Sequence, residues 1–147
     1  MKILNILTLC ILFLSGLLSS GCEDNLCNCY CDSYDALAFP LNDTVDMKYS
    51  EFYCNPDNEI RLSFDSLSDS RCPNGAVCFW EGNASFRITV KSDSNESNSF
   101  KLNTYGKFLT DTVVNGLHYE LIDILPYPKI GKDYQLDDYI LQLIISH

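Results

Sequence analysis

Eight cysteines, two histidines and twenty acidic residues are the side chains that could carry chemistry in this 147-residue chain. Cys27-Asn28-Cys29-Tyr30-Cys31 places three sulfurs at alternate positions, which in an extended segment point to one side. With Cys54 they would make a soft thiolate set suited to Cu(I) or Zn. The spacing matches no zinc pattern and no histidine lies nearby, so disulfides among Cys27, Cys29, Cys31 and Cys54 are expected, with the pairing open. Cys72 and Cys78 flank Pro73-Asn74-Gly75, a strong turn sequence, and form a natural pair. Closing so short a loop is worth about 2 kcal/mol in the chain-entropy description.

Other chemistry finds less support. His118 falls on the polar side of a predicted strand and His147 is the last residue, and neither has the context of a histidine held between a nucleophile and an acid. Paired carboxylates are easily found among so many acids, but a domain this small leaves little room for a deep saccharide cleft. Asp65, Asp69 and Glu81 are oxygen donors that could meet on Ca²⁺, without the spacing of an EF-hand, and are expected to be solvated charges. No glycine loop of the phosphate-binding type is present. No catalytic residue, metal or cofactor is assigned, and the chain is expected not to be an enzyme.

The first 22 residues have the three-part layout of an export signal: Met1-Lys2, an apolar run from Ile3 to Leu18, then Ser19-Ser20-Gly21-Cys22. The run is shorter than the roughly 20 residues that span a bilayer comfortably. The ending Leu18-Ser19-Ser20-Gly21-Cys22 resembles the bacterial lipobox, although Ser19 stands where the commonest form has an aliphatic residue. The resemblance implies removal of residues 1–21, a diacylglycerol thioether on Cys22, and a fatty acyl group such as palmitate on the new amine. Two or three chains hold a protein firmly at about 0.8 kcal/mol per buried CH₂. Glu23-Asp24 resemble the early acidic residues that act as a surface-export signal in some lipoproteins of Bacteroidetes-type bacteria, but read more simply as solvated linker.

All twenty acidic residues lie beyond position 22, against nine basic ones, so the exported part carries −11. That disfavours nucleic acid, whose phosphates need basic partners, and a polybasic dock on anionic lipid, so no nucleic-acid partner is expected. Residues 22–34 read as a Cys-rich tether and residues 35–147 as one domain. Its periodicity is two. Ile60, Leu62 and Phe64 alternate with polar residues, and Ala84 to Lys91 alternates throughout, as in a sheet with one wet face. Phe100 to Asn103 returns after a polar loop. Asn115-Gly116 joins Thr112–Val114 to Leu117–Tyr119 as a two-residue hairpin, and a phase change near Leu121-Ile122 predicts a bulge. Pro126-Tyr127-Pro128 ends that strand. Tyr139 to Ile145 is apolar on both sides and predicts an inner strand covered on both faces. The fold class is all-β: a β-sandwich or partly open barrel of about six to eight antiparallel strands.

Residues 69–84, DSRCPNGAVCFWEGNA, are similar to a pattern of small β-rich domains in bacterial secreted proteins and lipoproteins, of the form DSRCP-x-G-V-x-C-x-W-x-G-x-A. Asp69, Ser70, Arg71, Cys72, Pro73, Cys78, Trp80, Gly82 and Ala84 match; Glu81 replaces a residue that is often small. The similarity extends over about residues 58–147 and implies a fold and an export address but no activity. Physically, the disulfide fixes a tight loop over which Trp80 can pack, Gly82-Asn83 turns into the next strand, and Arg71 can fork onto Asp69 or Glu81. Asp69, Arg71, Trp80 and Glu81 are the residues of a candidate binding loop, although a structural role is favoured. The tyrosines read as core and sheet surface; Tyr105, Tyr119, Tyr127 and Tyr134 are those that would line a sugar platform.

The expected function is that of a bacterial cell-envelope lipoprotein, outer-membrane anchored through Cys22, whose domain binds an envelope protein or glycan or serves a structural role. Two alternatives stand beside it. One is a secreted protease-inhibitor-like or hydrolase domain, the inhibitor presenting Arg71 on the Cys72–Cys78 loop. The other is a thiol-based metal or redox site in the tether.

Overall fold

The structure is a computed structural model and describes residues 31, 36–92 and 96–147. The signal segment, Cys22, Cys27, Cys29 and all of the tether except Cys31 lie outside the described residues. Nine strands follow in order: β1 (Ala36–Ala38), β2 (Thr44–Lys48), β3 (Phe52–Asn55), β4 (Ile60–Asp69), β5 (Ala84–Ser92), β6 (Ser97–Asn103), β7 (Asp111–Val114), β8 (Leu117–Leu125) and β9 (Ile140–Ser146). Single 3₁₀ turns occupy Pro56–Asn58 and Leu136–Asp138. The strands form two sheets, β1-β3-β4-β5-β6 and β2-β9-β8-β7, packed face to face as a β-sandwich that does not close into a barrel.

Alternation explains the core. Ile60, Leu62 and Phe64 of β4, Phe86, Ile88 and Val90 of β5, and Leu102 of β6 are buried on the inner face of the first sheet. Val45 and Met47 of β2, Leu141, Leu143 and Ile145 of β9, and Tyr119 and Ile124 of β8 cover them from the second. The Asn115-Gly116 turn has both residues at positive φ, 52° and 78°, the backbone of a type I′ hairpin. In β8 the register shifts between Leu121 and Asp123, which hands the buried positions from the odd residues Leu117 and Tyr119 to the even residue Ile124. A second bulge, between Phe64 and Ser66 in β4, was not anticipated from the sequence.

Two expectations change. Among the described residues there are nine strands rather than about six to eight, and β1 pairs with β3 in parallel, because the chain crosses to the second sheet as β2 before returning as β3. β9 is an inner strand, flanked by β2 and β8, but only one of its faces is buried. Ile140 and Ile144 face outward and are half-buried, shielded by cross-strand neighbours such as Thr44 and Glu120, which pair with Ile144.

Among the described residues, one core hydroxyl has no hydrogen-bond partner. The Tyr119 hydroxyl is fully buried without a hydrogen bond, and burial raises its pKa well above the ordinary phenol value. Tyr119→Phe removes a desolvated donor while keeping the ring that packs 5.1 Å from Phe100, centroid to centroid. The variant is expected to gain about 1 kcal/mol, read as a higher urea midpoint with an unchanged slope. A clear loss would mean that the hydroxyl is bonded in solution.

Candidate functional site

The β4–β5 hairpin does not end where its strands end. Ser70 N–H donates to Asn83 O and Cys72 N–H to Glu81 O, both at 2.8 Å, so the ladder climbs two further rungs. Above them residues 73–80 form a tip closed by the Cys72–Cys78 disulfide, as the turn chemistry predicts. Ala76 N–H returns to Pro73 O at 3.0 Å, and Gly75 supplies a φ of 92°. Gly82, at φ 79°, is the close-approach residue: a Cβ there would stand 2.1 Å from Ser70 O, so no other residue fits the neck. The tip is also tied sideways, by Asn74 N–H to Pro128 O at 2.8 Å and a parallel bridge of Asn74 to Lys129.

Arg71 sits at the base of this hairpin and is only 7% exposed. Its Nε and Nη2 donate to the two oxygens of Asp69 at 2.9 and 2.7 Å. Its Nη1 reaches Ile124 O at 2.7 Å and its Nη2 reaches Pro126 O at 3.0 Å, while its guanidinium lies 4.8 Å from the Tyr127 ring centroid. Tyr139 Oη donates to Asp69 as well, at 3.3 Å, and the buried carboxylate raises the Tyr139 pKa together with desolvation, the larger cause. One side chain of the first sheet thus clamps the end of β8 in the second. Of the two partners open in the sequence, Asp69 takes the fork; Glu81 stays exposed at the rim. Arg71 is therefore not the side chain that this loop would offer to a protease cleft.

The large exposed side chains of the tip are apolar. Val77 and Phe79 are as open as in an extended chain, at 104% and 105%, and Trp80 is 51% exposed. The indole meets Tyr105 edge-to-face at 5.7 Å, and Tyr105 meets Phe108 at 5.5 Å, so the tip joins the loop after β6 in one aromatic surface. Phe108, Leu109 and Ile130 add further exposed apolar side chains at this end. Sequence reasoning singled out Trp80 but missed Val77, Phe79 and Phe108. The available signal was the run Val77-Cys78-Phe79-Trp80, four apolar residues within a turn region bracketed by Gly75 and Gly82.

Beneath the aromatic surface lies a pocket of about 140 Å³ lined by Arg71, Glu81, Gly82, Thr104, Tyr105 and Tyr127. Tyr105 and Tyr127 of the four singled-out tyrosines meet there; Tyr119 is core, and Tyr134 packs against Tyr139 at 6.0 Å. A second cavity, about 460 Å³ and open, lies between β1 and the 3₁₀ turn after β3, lined by Phe39, Leu41, Asn55, Pro56 and His147 among others. Its buried Asn55 amide is already used, donating to Phe39 O and accepting from Asn58.

The remaining candidates are dispersed. His118 is a partly exposed strand residue whose Nε2 lies 2.8 Å from Asp111 Oδ2, and this hydrogen bond holds the Asp111 pKa below its usual value. Among the described residues no nucleophile hydrogen-bonds to the His118 ring. Asp65 is engaged by the Ser63 and Thr89 hydroxyls and Asp69 by Arg71, so Asp65, Asp69 and Glu81 do not converge. Among the described residues no group of three metal-ligating side chains occurs. Cys31 is bonded to Cys54, which settles one pairing that the sequence left open and takes two thiolates out of the candidate soft-metal set. No helix among the described residues is long and apolar enough to cross a membrane.

Fold and tip together define a disulfide-stapled β-sandwich that carries an aromatic hairpin tip at one end. Compared with protein-family models, with curated proteins and with solved structures, the chain finds no match.

Proposed function

We propose that this is a lipid-anchored protein of the bacterial cell envelope whose sandwich performs no catalytic step and binds a partner through the Cys72–Cys78 tip. The observation that carries this reading is the pair Val77 and Phe79, fully solvent-exposed on a covalently closed loop beside Trp80. Exposed apolar side chains grouped on a rigid element mark interaction surfaces more often than they mark nothing. The lipobox-like ending at Cys22 supports the anchor.

The position of the Cys31–Cys54 bond supports the direction of presentation. Cys54 pairs in register with Arg61, eight residues along β4 from Asp69, where the tip begins. At about 3.3 Å per residue the Cys31–Cys54 attachment therefore stands roughly 25 Å from the base of the tip. A domain held at that end, with strong net negative charge, points its aromatic tip away from an anionic bilayer.

Two measurements test the reading. In cells fed labelled palmitate, Cys22→Ser is expected to abolish the label and move the protein from the membrane to the soluble fraction; an unlabelled, unshifted parent removes the anchor. With the soluble mature chain carrying Cys22→Ser, Phe79→Asp is expected to cut retention of envelope material by about tenfold or more, as for a buried interface anchor. Equal retention removes the tip as the binding surface. The inhibitor-like alternative is carried only by Phe79, next to Cys78, and requires that the same protein block a protease selective for aromatic residues.

A further inference from the structure

We propose that the pocket beneath the tip is a subsite for one neutral sugar ring, so that the partner is a glycan; this rests on the reading of the tip as a binding surface. The argument begins with what the walls can bond. Arg71 uses four of its five N–H donors on Asp69, Ile124 and Pro126, which leaves one Nη1 hydrogen, and the residue lines the pocket. Glu81, an exposed residue whose carboxylate only accepts, lines the same pocket. Tyr105 and Tyr127 supply aromatic walls beside Gly82 and Thr104, with Trp80 against Tyr105 at the rim. A donor, an acceptor and aromatic rings around a small pocket suit a ring that carries hydroxyls on its edge and C–H groups on its faces.

Charge narrows the choice. An anion would meet an Arg71 already neutralised by Asp69 at 2.7 Å, with the Glu81 carboxylate on the rim and a net charge of −10 on the chain. A cation, which the aromatic rings would otherwise favour, would meet the Arg71 guanidinium in the wall and Lys107 Nζ 5.8 Å from the Tyr105 ring centroid. A large apolar group would not fit about 140 Å³ and would leave the remaining Arg71 donor unpaired. A neutral polyol satisfies both polar walls, and the exposed Trp80 and Phe79 beyond them give room for the next residues of a chain.

Trp80 is the only tryptophan, so its emission reports on this site without labelling. The mature chain with Cys22→Ser is titrated to high millimolar concentration with neutral hexoses, 6-deoxyhexoses and N-acetylhexosamines, and with oligosaccharides of each. At least one is expected to give a saturable change in Trp80 emission. Glu81→Gln, at an exposed position that leaves the fold intact, is expected to weaken that binding about tenfold, the loss of a hydrogen bond to a charged group. Tyr127→Leu is expected to do the same, with near-ultraviolet circular dichroism checking its fold. No saturable change with any sugar, or a change that is equal in Glu81→Gln, overturns the proposal. If envelope material is still retained through Phe79 while no sugar competes, the tip binds protein and only the sugar subsite falls; loss of both removes the binding reading itself.

Discussion

Arg71→Ala is expected to cost about 3–5 kcal/mol, the penalty for breaking a buried ion pair on one side only. Both side chains of the Arg71–Asp69 pair are 5% exposed, so Asp69 would be left as a buried carboxylate with only the Arg71 backbone N–H and the Tyr139 hydroxyl for partners. The Ile124 and Pro126 carbonyls would lose their donors at the same time, and with them the tie between the β4–β5 hairpin and the end of β8. For a domain whose total stability is of order 5–15 kcal/mol, that loss is a large fraction of the whole. It should lower the urea midpoint by more than about 1 M. Arg71→Lys is expected to recover little, because one ammonium cannot fork onto Asp69 and also span two carbonyls. Arg71→Met with Asp69→Leu should recover more than either single change, since replacing both charges removes the desolvation cost together with the pairing. A midpoint for Arg71→Ala within a few tenths molar of the parent would show that the two sheets do not depend on this clamp.

Arg71 also shows how far the sequence could be read. Its fork onto an acid was legible from Asp69 two residues away, but its hold on Ile124 and Pro126 was not. Those carbonyls lie 53 and 55 residues downstream, and backbone acceptors have no signature in side-chain pattern. Local devices were read correctly wherever chemistry and spacing coincide: the Asn115-Gly116 turn, the phase change near Leu121-Ile122 and the Cys72–Cys78 loop. β9 misled because Ile140 and Ile144 are apolar without being core; an outward isoleucine shielded by its cross-strand neighbours carries the same letter as a buried one. Val45 and Met47 in β2 alternate as plainly as β5 does, but over only five residues, too short a run to stand out beside a Cys-rich tether. The Arg71–Tyr105–Tyr127 pocket needed three loops to be brought together, and nothing local announces that meeting.

The second large effect is expected at the other end of the sandwich. The Cys31–Cys54 bond closes a segment separated by 23 positions, against 6 for Cys72–Cys78. Chain entropy alone then gives about 3 kcal/mol for the former and about 2 kcal/mol for the latter. Cys31→Ala with Cys54→Ala should therefore destabilise more than Cys72→Ala with Cys78→Ala, the more so because Cys54 is buried in β3 and its loss leaves a small void. The structural damage should also be confined. β1 is three residues long, runs at the sheet edge, and is held further by the Phe39 N–H to Cys54 O bond at 3.0 Å. Without the disulfide it should fray, admitting protease between residues 36 and 41 while Trp80 emission stays that of the parent. On the proposed anchoring, such fraying would lengthen the leash and release the fixed exit proposed to turn the aromatic tip outward. If instead the two double variants lose stability equally and β1 stays resistant, the tether is held by packing, and the orientation of the tip would not depend on the Cys31–Cys54 bond.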